Sequence, residues 1–400
     1  MSGKGGSNPI GRREFIRKSS LAAISVPVIG NLAYESANFI KTGQNKTAGP
    51  EWRNRQEGMS YRQLGRTGLM VSELVLGTER NNPDNLRPVE IAFEKGINYF
   101  DTAPSYNKGL AEATLAKAFN TPSKRDKAFI ATKVTAFCPT RNRLYREIFD
   151  KLSSSRQDEI KKKAKKLRLE CGIEKPEYFM VYWPGQQQQM DGAFLSDAMK
   201  DEYGDRIERS PELKKAIVNS VEESLKRVGT DYFDVLHCPH AAATSEEIRN
   251  PVIIETFNEL KKQGKVRFLG FSSHHGMAEL LKTAIELDNF DVVMLAYNVI
   301  NHAFLDHLLI SAGEKGIGLI AMKAAMAVAT PYDPAKVPVP EWRVSKLNRI
   351  IPEEMKLHVK AFLWALQNQD LSAVNAGMYT EEMVLENLTA VGRKIDLNLA

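Results

Sequence analysis

Eight short apolar runs, each followed by a segment of helical character, constrain this chain more than any other feature. The runs are Leu74–Gly77, Ile97–Thr102, Ala128–Lys133, Tyr232–Cys238, Val266–Ser272, Val292–Tyr297, Gly318–Lys323 and Ala373–Gly377. They are rich in Val, Ile, Leu, Phe and Tyr, as strands covered on both faces of a parallel sheet must be. The helical segments include Glu212–Val228, Pro251–Lys262, Met277–Leu287, Ala303–Lys315, Glu353–Gln367 and Thr380–Val391. Parallel neighbours require right-handed crossovers, and eight such units in series close into an α/β (β/α)8 TIM barrel. An open doubly wound sheet would carry a glycine fingerprint after its first strand, and no GxGxxG occurs. Ahead of the barrel, Tyr61–Leu64 and Leu69–Val71 flank Gly65-Arg66-Thr67-Gly68, which reads as an N-terminal hairpin.

One interval breaks the rhythm. The third barrel strand ends at Lys133 and its helix begins at Glu212, leaving about 75 residues where a few are usual. This long insertion, at about 135–210, holds a basic helical stretch, then Tyr178–Gly185, then four glutamines, Gln186 to Gln189. It leaves the barrel from the C-terminal end of a strand, the face where barrel active sites lie, so it is expected to wall or cover the site.

Charge excludes some functions. The net charge is +6, and the segment from Arg141 to Lys175 alone holds twelve Lys or Arg against six Asp or Glu. The rest of the chain is balanced, so no nucleic-acid partner is expected. The Lys161–Lys166 run reads as the solvated face of a helix. Three cysteines, Cys138, Cys171 and Cys238, show no paired spacing, so neither a disulfide framework nor a zinc or iron–sulfur site is expected.

The N-terminus reads as an address. Arg12-Arg13 precede Glu14, Phe15, Ile16, Arg17 and Lys18, and a mildly apolar stretch, Leu21 to Leu32, follows. The pattern resembles a twin-arginine export signal. The apolar stretch is too short to span a bilayer, which takes about 20 residues, and no stable membrane anchor is expected. The organisation that follows is a signal over residues 1–37, a linker over 38–59 and the barrel over 60–400. The twin-arginine machinery is the implied partner, and the periplasm or the exterior the implied location.

The chemistry concentrates at strand ends. Asp101 closes the second strand, Tyr106 lies in the loop after it, Lys133 closes the third and His237 the fourth. All four therefore face one mouth of the barrel. Asp101 and Lys133, on adjacent strands, can form a buried ion pair, and Tyr106 can reach the lysine ammonium. A nearby cation favours the phenolate, so the tyrosine is expected to titrate below its ordinary range. Such a tyrosine is a general acid for a carbonyl that receives hydride and a general base for the reverse reaction. A neutral histidine can orient the substrate oxygen. His240, beyond Pro239, is the rival to His237, whereas His274 and His275 stay unassigned. No carboxylate pattern accompanies these histidines, so no metal is expected.

This set, in this order, resembles the aldo-keto reductase family. The supporting phrases are FDTAPSY at Phe100–Tyr106, ATK at Ala131–Lys133, SVEESLKRVGTDYFDVLH at Ser220–His237, GFSS at Gly270–Ser273 and AGMYTEEMVLEN at Ala376–Asn387. The resemblance spans roughly residues 61–387 outside the insertion. It implies Tyr106 as proton donor, Lys133 and Asp101 as its tuning pair and His237 as orienter. It also implies a nicotinamide cofactor, NADP or NAD, with contacts at Thr78, Ser272, Ser273, Met322, Lys323, Glu386 and Asn387. Met294 and Met322 stand where the family often has Gln and an aromatic ring. Gly377 and Met383 stand where basic residues often hold the 2′-phosphate of NADPH, so comparable affinity for both nucleotides is expected. The implied function is hydride transfer between that cofactor and a small-molecule carbonyl or alcohol substrate, a sugar or sugar-derived aldehyde among the options. The alternative is a non-catalytic or accessory barrel that binds a ligand or partner at the same face.

Overall fold

A computed structural model describes residues 49–333 and 335–398. The twin-arginine stretch at 1–37 lies outside the described residues. Eleven strands occur in chain order: β1 (Glu51–Trp52), β2 (Tyr61–Gln63), β3 (Leu69–Ser72), β4 (Leu74–Gly77), β5 (Tyr99–Asp101), β6 (Phe129–Lys133), β7 (Phe233–His237), β8 (Val266–Ser273), β9 (Val292–Ala296), β10 (Gly318–Met322) and β11 (Ala373–Gly377). Strands β4 to β11 form a closed barrel in sequence order, every neighbouring pair parallel, with β11 returning to β4. These are the eight runs of the sequence: two keep their bounds, the run from Val266 extends by one residue to Ser273, and the other five are shorter by one to three residues.

Inward-facing residues alternate along each strand. Val75, Tyr99, Phe129, Val235, Met294 and Ile320 are fully buried and belong to one interior cluster, so the barrel is packed rather than hollow. Leu64, Leu69 and Val71 of the hairpin join this cluster and close its floor. The floor begins earlier than the sequence suggests. Residues 51–59, assigned above to a linker, include β1, which pairs parallel with β3. Arg53 fixes this segment: its guanidinium donates to the Ala128 carbonyl at 2.8 Å, approaches Asp234 at 3.2 Å and lies 4.6 Å from the Phe129 ring centre. Polar composition hid this role, because the anchoring partners lie 75 and more residues away.

Outer helices follow the strands with ordinary signals. Helix Pro211–Val228 starts at Ser210, whose hydroxyl accepts from the Glu212 amide, has Pro at its first turn and ends at Gly229 in a left-handed conformation. The segment read as Glu353–Gln367 is helical only over Leu357–Leu366, and a further helix, Glu341–Ile350, precedes it. Among the described residues no helix is long and apolar enough to cross a membrane.

The insertion is helical. Helices Phe137–Phe149, Ser154–Glu170 and Gln186–Ile207 pack together, the third against both others. Arg141 is fully buried and pins the bundle: it meets Asp197 at 3.0 Å and Glu208 at 2.8 Å, and Tyr145 donates to Glu208 at 2.6 Å. The basic helix turns its lysines outward, Lys161 to Asp158 at 3.2 Å and Lys163 to Asp201 at 2.8 Å.

Removing one partner of a buried ion cluster leaves the other charges uncompensated, typically at a cost of about 3–5 kcal/mol. Arg141→Ala strands both Asp197 and Glu208. It is expected to lower the unfolding free energy by about that amount in urea denaturation, and a loss under about 1 kcal/mol would show that the cluster does not hold the insertion.

Candidate active site

Two adjacent strands deliver the central pair. Asp101 ends β5 and Lys133 ends β6, and both side chains are 1% exposed. Lys133 Nζ lies 2.5 Å from Asp101 Oδ1 and donates to the Thr102 carbonyl at 2.8 Å. Burial pushes the Asp101 carboxyl up and the Lys133 ammonium down, and each charge opposes that shift in the other. Asn375 of β11 donates to the second Asp101 oxygen at 3.0 Å.

Tyr106 follows β5 and its half-buried ring stands over this pair, with Lys133 Nζ 4.6 Å from the ring centre. The ammonium stands over the ring and makes no hydrogen bond to the hydroxyl. Its hydrogen bonds go to Asp101 and Thr102. Burial, followed by the negative charges of Asp101 and Glu79, holds the phenol well above its ordinary range. This reverses the expectation of a lowered tyrosine. The reason is burial, which disfavours the phenolate, reinforced by the negative charge of the Asp101 carboxylate to which the nearby ammonium is bound. Tyr106 stays a neutral phenol through the physiological range.

The two candidate histidines separate. His237 faces the barrel interior two residues beyond inward-facing Val235 and is fully buried. Its Nδ1 meets the Phe271 carbonyl at 3.2 Å, and its ring fits only because position 270 is glycine: a Cβ there would fall 2.8 Å from Nδ1. His240 instead reaches the rim. Its ring stands edge-on to Tyr106 at 6.1 Å between centres, and its Nδ1 lies 3.0 Å from Thr135 Oγ1. Burial, reinforced by the Lys133 ammonium, pushes the His237 imidazole down to about 3 and His240 far below its ordinary value, so both are neutral. His240 thus lines the cavity beside Tyr106, whereas His237 is not among the cavity-lining residues and its Nε2 is buried with no hydrogen-bond partner among the described residues.

A cavity of about 750 Å³ opens at this face. One end lies under the insertion, where Trp183 and Gln189 join Tyr106 and His240 on its wall. Trp183 packs edge-on against His274 at 4.7 Å between centres, and Lys323 Nζ lies 5.6 Å from its ring. Burial lowers His274 far below its ordinary value, leaving it neutral. The other end reaches His358, Phe362 and Asn387. Met322 and Lys323 also line the cavity, and burial lowers the Lys323 ammonium.

The expected cofactor contacts divide in the same way. Met322, Lys323 and Asn387 line the cavity. Asn387 Oδ1 is buried with no hydrogen-bond partner among the described residues. Thr78, Ser272 and Ser273 are buried and their hydroxyls are engaged within the protein. Thr78 donates to the Asp101 carbonyl at 3.0 Å, Ser272 accepts from the Ala241 amide at 3.0 Å, and Ser273 donates to the Ala242 carbonyl at 2.8 Å. The two serines fasten the loop that carries His240 to the end of β8. Glu386 is paired with Lys356 and with His358, and His358 itself lines the cavity. The phenol of Tyr379 fills the space over Gly377, and Arg80 lies 5.6 Å from that ring. The sequence reading did not select Glu79, Arg80 or Asn375. Glu79 and Arg80 directly follow Thr78 at a strand end, which was the available signal. Among the described residues no three His, Cys, Asp or Glu side chains gather as a metal site requires.

Comparisons with known proteins identify the family. The profile of the aldo/keto reductase family matches residues 73–204 and 203–391. L-galactose dehydrogenase of Arabidopsis thaliana is 26% identical over 366 residues, covering 83% of this chain and 88% of that protein. An aldo-keto reductase of Fusarium vanettenii is 24% identical over 375 residues, covering 84% and 88%. The holo form of an aldo-keto reductase from Bacillus halodurans superposes with a TM-score of 0.55 at 22% identity, covering 84% of this chain and 92% of that one.

Proposed function

The chain belongs to the aldo/keto reductase family and is an NAD(P)-dependent oxidoreductase, and from that premise we propose that Tyr106 is the acid that protonates the substrate oxygen while His240 orients it. The observation that carries this reading is the phenol of Tyr106 on the cavity wall, kept protonated by burial, with the Lys133 ammonium against its ring and neutral His240 beside it. A carbonyl oxygen between Tyr106 and His240 accepts a hydrogen bond from each. As negative charge grows on that oxygen, the phenol gives up its proton. The Lys133 ammonium then lies close to the phenolate that remains, and Asp101 keeps the ammonium in place. The raised phenol carries the proton that reduction consumes at neutral pH, whereas the reverse reaction needs the phenolate.

The cavity suits a dinucleotide. Lys323 and Arg80 supply positive charge along its length, and Asn387 offers an unpaired buried oxygen at its far end. When bound, the nicotinamide supplies or takes the hydride. The wall under the insertion is built from neutral hydrogen-bonding groups, Gln189, His240 and His274, around one aromatic ring, Trp183. That lining favours a polyhydroxylated aldehyde or its alcohol, and one relative carries the name L-galactose dehydrogenase.

Tyr106→Phe is expected to lower kcat by about 10²–10⁴-fold while nucleotide affinity and thermal midpoint stay near the wild-type values. Wild-type turnover in that variant would remove Tyr106 from the mechanism. The wild-type reductive rate is expected to stay flat through neutral pH, because the raised phenol loses its proton only above the ordinary tyrosine range.

The extra phosphate of NADPH needs a basic partner to replace lost water. Gly377 and Met383 supply none, and no residue of the Lys161–Lys166 run lines the cavity. Affinities for NADH and NADPH are therefore expected to agree within about tenfold, or 1.4 kcal/mol, in fluorescence titrations of cofactor-free protein. A far larger preference for NADPH would point to Arg80 as an unrecognised phosphate partner.

Export through the twin-arginine route remains our reading of Arg12-Arg13 and Phe15. Replacing both arginines with lysine is expected to hold the protein in the cytoplasm, and undiminished periplasmic delivery would sink the proposal.

A further inference from the structure

Asn375 occupies the middle of β11, and β11 stands opposite β7 in the closed barrel. Its orientation is forced by its neighbour. Asp101 as a carboxylate can only accept, so the end of the amide that faces it must be the nitrogen. Nδ2 donates to Asp101 Oδ2 at 3.0 Å and also lies 3.6 Å from the Met294 sulfur. Oδ1 consequently points the other way. It is buried and has no hydrogen-bond partner among the described residues. It lies against Gly77, where a Cβ would come within 2.5 Å of it, and both residues line the cavity. An acceptor withdrawn from water and left without a donor is a position that a ligand completes.

The place of Asn375 in the barrel says which ligand. His240 follows β7, and Trp183 and Gln189 belong to the insertion after β6, so the substrate wall lies across the mouth from β11. Beside β11 lie Met322 of the neighbouring strand β10 and Gly77 of the neighbouring strand β4. We propose that Asn375 is a dinucleotide-binding residue, its Oδ1 accepting from a ribose hydroxyl or the carboxamide N–H of the cofactor's nicotinamide half. The inference rests on the reading of this cavity as a dinucleotide site. It gives one side chain two tasks: Nδ2 holds the carboxylate that holds Lys133, and Oδ1 holds the cofactor. The reactive half of the cofactor and the Asp101–Lys133 pair thereby share a single support.

The test is a set of direct binding titrations that need no turnover. Asn375→Leu removes both ends of the amide. It is expected to weaken NADH and NADPH by about tenfold. ADP, which lacks the nicotinamide half, should bind as it does to the wild type. Asn375→Asp supplies a second variant of the same shape. Facing Asp101, it shares a proton in mildly acidic buffer and presents a carbonyl oxygen where the amide had one. Its affinity for both nucleotides there should stay within about threefold of wild type. Unchanged NADH and NADPH binding in Asn375→Leu would overturn the inference. So would an equal loss for ADP, which signals general damage to the cavity. Wild-type protein that binds neither nucleotide would bring down the dinucleotide reading itself, whereas wild-type binding with an insensitive leucine variant brings down this inference alone.

Discussion

The buried pair of Lys133 and Asp101 is the interaction on which the mouth of this barrel depends. Two charges taken out of water are tolerated only when their geometry is good and their remaining hydrogen-bonding capacity is filled. Here the closure of the barrel fills it. Strands β5 and β6 set the two groups 2.5 Å apart, the Thr102 carbonyl takes a second lysine proton, and Asn375 reaches the other carboxylate oxygen from β11. β11 meets β4 only because the barrel closes, so the last strand in sequence completes a pair formed by the second and third barrel strands. Everything above the pair inherits its position: the ring of Tyr106 packs against the lysine, and His240 packs against Tyr106.

The insertion sets the environment in which that pair acts. By covering one side of the mouth it places Trp183 against His274 and Lys323 and leaves the imidazoles of His240 and His274 neutral. A drier site strengthens each hydrogen bond within it and raises the cost of any unpaired charge. The same burial that keeps the histidines uncharged keeps Tyr106 a phenol. The anchor of the insertion, Arg141 with Asp197 and Glu208, lies apart from the cavity it helps to shape. A lid of this kind is held by ion pairing within its own helices and meets the site through Trp183 and through the helix residues Pro139 and Gln189.

Much of this was legible in the chain. Strand periodicity is a local property, so the eight strands, their order and the hairpin beneath them could be read directly. So could the position of Asp101 and Lys133 at strand ends and of Tyr106 in the loop beyond, because a strand end fixes which face a residue serves. Less legible was anything that depends on depth or on a partner far along the chain. Residues 51–59 looked like a linker because Ala128 and Asp234, which fix Arg53, are remote in sequence. The resemblance implies Ser272 and Ser273 as cofactor contacts, and the structure adds that their hydroxyls fasten a neighbouring loop.

The sequence by itself determined the barrel, the face on which the chemistry collects and the residue types assembled there, since these follow from period, strand length and strand-end position. Only the tertiary structure decided which histidine stands beside Tyr106. His237 faces inward, within the packed barrel, while His240 lies three residues further and emerges on the rim. Only the tertiary structure decided the protonation of Tyr106, because the charge nearest its ring is already bound to Asp101, and burial then governs the phenol. And only closure of the sheet could bring Asn375 to a carboxylate 274 residues earlier in the chain.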